Sequence, residues 1–268
     1  MDSAKKAVQE FWDRAACGEE LYLANREREG YNEQARRRYE LEPVIEEFAE
    51  FATAAGQKVL EIGVGLGADH QRYAQAGARL SGIDLTERAV GHTRRRLGLF
   101  GLESALSTGD AEQLAFSTEE FDCVYSWGVL HHSPDTARAV AEVHRVLRPG
   151  GVARIMIYHK WSLVGYMLWM RYGPLRLHPW LSLRQVYARH LESPGTKAYS
   201  VAEARRMFAA FSSVEIRICL THADLLESEA GQRHRSAMLR LARAVWPRGL
   251  FRRYARGHGL FMLIRAVK

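Results

Sequence analysis

From residue 57 onward the chain alternates short apolar runs with stretches of helical period, the pattern of a parallel sheet wound with helices. KVLEIGV (58–64) reads as a buried strand and ADHQRYAQAG (68–77) as a helix closed by Gly77. ARLSGIDL (78–85) is a second strand, and TERAVGHTRRRLGLFG (86–101) a helix with Thr86 as its N-cap. Residues 103–108 form a weak strand and FDCVYSWGVL (121–130) a strong one. Ser133 as cap, Pro134 at the first position and Asp135 at the positive end of the dipole predict the next helix. Its apolar side is Val140, Val143 and Leu147, and Pro149-Gly150-Gly151 stops it. VARIMIY (152–158) is a strand, SVAEARRMFAAF (200–211) a helix capped by Ser200, and SVEIRICL (213–220) and GLFMLIRAV (259–267) are strands. Ahead of all this, 5–16 and 31–51 read as helical, with Pro43 a helix start or a break.

Two stretches break the rhythm. Residues 159–199 have no clean period and interleave Trp161, Tyr166, Trp169, Tyr172 and Trp180 with Arg171, Arg176, His178 and Arg184. Residues 221–258 are basic around a predicted helix RSAMLRLARAVW. The first reads as a lid over an apolar substrate with an anionic end, as a packed structural cover, or as an amphipathic face for a membrane surface or a second subunit. LESPGTKAY (191–199) reads as a loop closing on a pocket or as a plain connection.

The first strand runs into Gly63, Gly65 and Gly67, and three glycines there ask for bare backbone against a ligand. Their G-x-G-x-G spacing is tighter than the dinucleotide fingerprint, and Asp69 at the helix start repels a pyrophosphate. Asp84, 21 residues after Gly63, ends the second strand where a carboxylate accepts both hydroxyls of a ribose. Asp110 follows the third strand, where it can take an adenine amino group. Glu61 stands where a carboxylate holds a cationic amine, or caps the turn. A cofactor with ribose, adenine and an amino acid, but no phosphate, suits this set.

Composition changes little in that picture. The 268 residues are 47% hydrophobic and 26% charged, enough for a sizeable core without staples. Cys17, Cys123 and Cys219 share no metal spacing and read as reduced thiols of a cytoplasmic protein; the N-terminus shows no apolar leader, and no apolar run is long enough to span a bilayer. The net charge of +7 suits nucleic acid, an anionic membrane surface, an acidic metabolite or simply a solvated basic exterior.

The ordered series VLEIGVGLG, GIDL, GDAEQL, FDCVYSWGVLHH and VLRPGG, over about residues 40–160, resembles the class I S-adenosylmethionine-dependent methyltransferases of the widespread bacterial small-molecule branch. The resemblance implies an α/β fold: a Rossmann-like seven-stranded sheet with helices on both faces, ending on an antiparallel hairpin at its edge. It implies a methyltransferase domain over 52–268 behind an N-terminal helical cap, 1–51, with 159–199 and 221–258 as a substrate lid. Gly63, Gly65 and Gly67 would pass under the methionine part of S-adenosylmethionine. Asp84 and Leu85 would meet the ribose, Asp110 and Ala111 the adenine, and Ser126 would flank the cofactor.

Methyl transfer is in-line displacement at a sulfonium, so the protein aligns the acceptor, excludes water and takes a proton where one must leave. Candidates belong at the carboxyl ends of the fourth and fifth strands. There His131 is the first candidate base, by likeness to a lipid-modifying branch, with His159 and Tyr158 next. Trp127, His132, Trp161, Tyr166, Arg171 and Tyr199 are candidate substrate contacts, and no metal site is expected. The acceptor is a small lipophilic or anionic metabolite: a prenyl diphosphate, a lipid or an aromatic acid. The competing readings are methylation of RNA through the basic insertions, and a relic pocket that binds without catalysing.

Overall fold

A computed structural model describes residues 3–227 and 246–268. A seven-stranded sheet has the order β3-β2-β1-β4-β5-β7-β6. The strands are β1 (Lys58–Ile62), β2 (Arg79–Asp84), β3 (Ala105–Thr108), β4 (Phe121–Trp127), β5 (Leu147–Tyr158), β6 (Ser213–Cys219) and β7 (Phe261–Val267). All pairings are parallel except those of β7, which runs antiparallel between β5 and β6.

Alternate side chains along each strand go to opposite faces, and two apolar layers result. Leu60, Val124, Ile155 and Ile157 pack on one side with Val140, Val143 and Phe208. Val59, Tyr125, Met156 and Tyr158 pack on the other with Ile45, Phe51, Tyr73, Val164 and Leu168. Burial on both faces explains why β1 and β4 read as continuous apolar runs. The strand order reverses between β1 and β4, which puts a ligand crevice at the carboxyl ends of these two strands.

The N-terminal segment forms α1 (Ser3–Arg14), α2 (Glu19–Tyr22), α3 (Arg28–Leu41) and α4 (Val44–Ala49), with Pro43 just ahead of α4. Helices α5 (Ala68–Gln75) and α6 (Glu87–Leu99) follow β1 and β2, and Thr86 accepts from the Ala89 amide as the N-cap of α6. The helix after β4, α7 (Thr136–Val146), departs from expectation: Asp135, not Ser133, is its N-cap and accepts from the Arg138 amide. Ser133 is drawn off because its hydroxyl donates to Glu112, which also takes the Asp135 amide. β5 starts at Leu147, so Pro149-Gly150-Gly151 lies within the strand rather than between helix and strand; the register with β4 shifts at that end.

Residues 159–199 are more regular than their sequence suggests. They hold α8 (Leu163–Tyr172) and α9 (Leu183–His190), and α9 opens with a Ser182–Gln185 capping box. A second capping box, Ser200 with Glu203, opens α10 (Val201–Met207). A short helix, Arg248–Tyr254, precedes β7. The helix expected at 235–246 lies almost wholly outside the described residues. Among the described residues no helix is long and apolar enough to cross a membrane.

Candidate active site

A cavity of about 240 Å³, far more than one water needs, opens at the crevice between β1 and β4. Its floor is the glycine turn. Gly63 has φ +87°, and a β-carbon there would fall 2.1 Å from the Val129 methyl; Gly65 has φ +52° and open space where its β-carbon would be. The turn therefore keeps its backbone bare toward the cavity. Asp84 ties it down: its carboxylate accepts from the Gly65 amide at 3.2 Å and from the Thr86 amide and hydroxyl, both at 3.0 Å. Burial raises the Asp84 carboxyl above its ordinary value, and these bonds offset only part of the rise.

The wall carries six carboxylates, Glu42, Glu61, Asp69, Asp84, Asp110 and Glu192, against two permanent cations, Lys5 and Arg38. Both cations are already engaged. Lys5 of α1 donates to Asp110 at 2.5 Å and to Glu112 at 2.6 Å. Arg38 of α3 donates to both oxygens of Asp69, at 2.9 and 2.7 Å. Burial pushes Asp69 up, but Arg38 and the hydroxyls of Tyr125 and Tyr39 hold it below the usual carboxylate range. Asp69 is thus a fixed anion, already balanced. Gln9 donates to the Leu85 carbonyl at 3.0 Å, so α1 is fastened across the ends of β2 and β3.

Glu61 is a different kind of acid. It sits 2.8 Å from His70 Nδ1, while His70 Nε2 is 2.8 Å from Ser104 Oγ. Ser104 spends its own proton on the Leu80 carbonyl, so His70 donates through Nε2. Nδ1 is then an acceptor, and the network assigns the shared proton to Glu61. Burial drives both groups this way, raising Glu61 well above its ordinary value and lowering His70 to about 3.

At the other end the wall is apolar: Trp12, Trp127, Met156, Tyr158 and Phe261. Into it project Glu192 and His132. Tyr158 donates to Glu192 at 2.9 Å, and His132 Nε2 lies 3.3 Å from the same carboxylate oxygen. On the other side of the ring, His132 Nδ1 lies 2.8 Å from Ser193 Oγ. His131, His132 and Glu192 each offer a donor atom within 4.8 Å of the others, a set that would also suit a divalent cation.

Most of the residues singled out from sequence lie on this wall: Glu61, Gly63, Gly65, Gly67, Asp84, Leu85, Asp110, Ala111, Trp127, His132 and Tyr158. Others do not. His131 is fully buried behind Tyr158, with ring centroids 3.9 Å apart and no hydrogen-bond partner on either nitrogen. Burial takes its pKa well below 6.5, and the ring is not part of the cavity wall. Ser126 lies between β1 and β4, donating to the Ile62 carbonyl. His159 and Tyr199 bridge to each other beyond the wall, with His159 held by the Gly259 carbonyl. Trp161, Tyr166 and Arg171 also lie off the wall; Trp161 is 44% exposed. Sequence reasoning missed Glu192, Glu42, Arg38, Lys5 and Trp12. The signal available for Glu192 was its place in the 191–199 loop.

Residues 60–155 match the model of a methyltransferase domain. A ubiquinone biosynthesis O-methyltransferase of Aromatoleum aromaticum is 41% identical over 101 residues, 37% of this chain and 43% of that protein. A phthiotriol/phenolphthiotriol dimycocerosates methyltransferase of Mycobacterium leprae is 40% identical over 99 residues, 36% of each chain. The chain spans less than half the length of these relatives. Phosphoethanolamine N-methyltransferase 2 of Haemonchus contortus, solved with phosphomonomethylethanolamine and S-adenosylhomocysteine, superposes with TM-score 0.63 at 18% identity; the match covers all of this chain and 60% of that one. That likeness shows the fold. Residues 60–155 thus match a methyltransferase domain, and the sheet order and glycine turn have the fold of the class I S-adenosylmethionine-dependent methyltransferases.

Proposed function

We propose that this protein methylates a small, largely apolar molecule at a protic oxygen or nitrogen, with Glu192 and His132 taking the proton. The cofactor fits the chemistry of the wall. S-adenosylmethionine is a cation that brings an electrophilic methyl group on sulfur, and a wall whose acidic groups outnumber its two cations, both already engaged, favours it over any phosphate-bearing nucleotide. The bare turn at Gly63, Gly65 and Gly67 would take its amino-acid part, with Glu61 as the acid nearest that turn. Asp84 and Leu85 would take the ribose, and Asp110 and Ala111 the adenine, provided that Asp110 shares itself with Lys5.

The observation that carries the acceptor half is the Glu192 carboxylate at the apolar end, flanked by Tyr158 and His132. Trp12, Trp127, Met156 and Phe261 exclude water and hold a flat or aliphatic body. As the acceptor heteroatom forms its bond to carbon, its proton passes to Glu192 or, through the shared site, to His132. The engaged state of Lys5 and Arg38 counts against a diphosphate inside the cavity, so the favoured acceptor is uncharged before reaction. The RNA reading through the basic insertions draws no support from the matched domain or from the relatives above.

The test is methyl transfer from labelled S-adenosylmethionine to a panel of apolar phenols and amines, with a matched set of acidic analogues. Glu192→Gln lowers kcat by ~100-fold, the low end of general-base effects, and leaves S-adenosylhomocysteine affinity within about twofold. A variant that keeps kcat but loses cofactor affinity, or a preference for the acidic analogues, overturns the assignment.

A further inference from the structure

We propose that the outward edge of α8 and the loop that follows it dock on an anionic lipid bilayer. Helix α8 divides its apolar residues. Val164 and Leu168 pack in the layer that holds Trp127, Met156 and Tyr158 of the cavity wall, while Tyr166 and Met170 face outward. Just beyond the helix, Leu175, Leu177 and Trp180 are 62%, 83% and 72% exposed. Large apolar side chains displayed this fully on one short segment mark a surface for something other than water.

The loop is built, not slack. Trp169 Nε1 donates to the Leu181 carbonyl at 2.7 Å, and the Arg176 and His178 amides both donate to the Gly173 carbonyl, at 3.0 and 2.9 Å. Leu177 is held at φ +60°, a left-handed conformation that costs a side-chain-bearing residue about 1 kcal/mol. The strain is spent on the most exposed leucine of the segment, so the display is specified rather than incidental. His258 extends the surface: its Nδ1 is 3.0 Å from the Trp161 carbonyl and 3.3 Å from the Tyr166 hydroxyl.

Charge selects the occupant. Residues 159–191 contain no Asp or Glu, and five Lys or Arg: Lys160, Arg171, Arg176, Arg184 and Arg189. Lys160 lies over the Trp161 ring at 5.2 Å, and Arg171 and Arg176 both lie over Tyr172, at 5.2 and 5.1 Å. Among the described residues neither Arg171 nor Arg176 forms an ion pair with a carboxylate, while the Glu203 carboxyl, lowered first by its bond from the Ser200 amide, is lowered further by nearby Lys160. Apolar tips with Trp and a basic flank are the composition of a bilayer interface. A two-fold dimer through the same face would set these cations against their own copies. The chain as a whole carries +7, which adds long-range attraction to a negative surface.

Co-sedimentation with vesicles tests this, using phosphatidylcholine alone and phosphatidylcholine with about a third phosphatidylglycerol. The protein is expected to partition onto the anionic vesicles and not onto the neutral ones. Arg171→Gln with Arg176→Gln lowers that partitioning about 30-fold, given the usual contribution of a cation near an anionic surface. Leu177→Ser with Trp180→Ser lowers it at least about tenfold. All four residues lie off the cavity wall and only Arg171 is partly buried, so S-adenosylhomocysteine affinity and melting temperature stay at the parent values. Partitioning that ignores phosphatidylglycerol, or that survives both double substitutions, overturns the proposal. So does a sedimentation-equilibrium dimer that the Leu177→Ser, Trp180→Ser protein alone fails to form.

Discussion

Asp84→Asn isolates the contact on which the cofactor assignment rests. A carboxylate has about four acceptor sites. In Asp84 one accepts from the Gly65 amide and two from Thr86, and the carboxylate lines the cavity. The asparagine keeps its oxygen toward the two Thr86 donors and turns its amide toward the Gly65 N–H and the cavity. The replacement therefore removes one charged hydrogen bond to a ribose hydroxyl, at about 1.5–3 kcal/mol, or roughly 10- to 150-fold in affinity. It also sets donor against donor at Gly65, which costs about 1 kcal/mol of stability. Isothermal calorimetry with S-adenosylhomocysteine reads the first effect and chemical denaturation the second. An affinity within about twofold of the parent, with the stability loss present, would show that Asp84 only fastens the turn and the Thr86 cap, and the ribose assignment would fall.

Two further predictions concern how the cap is held. Arg96 is 1% exposed and donates to Gln71, Gln34 and the Leu66 and Tyr31 carbonyls, so Arg96→Met strands four buried acceptors and should cost at least ~3 kcal/mol in denaturation; a loss under about 1 kcal/mol would mean that water replaces the guanidinium. Glu19 of α2 is pushed up by burial, but its bonds with Arg88 and the Ala16 amide bring it down to about 2 from an ordinary 4.5. A depressed acid contributes stability above its unfolded value that is lost as pH falls through its folded value. Glu19→Gln should therefore flatten the fall in stability between pH 4.5 and about 2, and an unchanged slope would remove Glu19 from the acid transition.

The sheet was legible because buried parallel strands and their helices differ in period, and the glycine turn because only a backbone need explains it. The place of β7 between β5 and β6 was not in the periodicity at all, since alternation gives strands without their order; the resemblance supplied it. Helix α8 escaped because LVGYMLWMRY is apolar nearly all round, packing inward and displaying outward at once, so no period stands out. The adjacent His131 and His132 could not be ranked from sequence. They sit on one short 3-10 turn, Leu130–His132, and which ring meets the cavity depends on how Tyr158 packs against the other. Glu192 had no spacing to betray it, because its partners Tyr158 and His132 come from β5 and the turn after β4.

The boundary of the matched region explains why the relatives' acceptors do not transfer. Asp84, the glycines and Asp110, the residues proposed to hold the cofactor, all fall inside residues 60–155 and line the cavity. Trp12, Arg38 and Glu42 come before that region, and Met156, Tyr158, Glu192 and Phe261 after it. Identity near 40% is thus confined to about a third of the chain, and the residues outside it have no counterpart in these matches. Within this chain the cap and the matched region are joined by ion pairs that cross the boundary, Lys5 with Asp110 and Arg38 with Asp69. A displacement of α1 or α3 would therefore break ion pairs with carboxylates on the cavity wall, so the cap and the matched region share the charges that neutralise it.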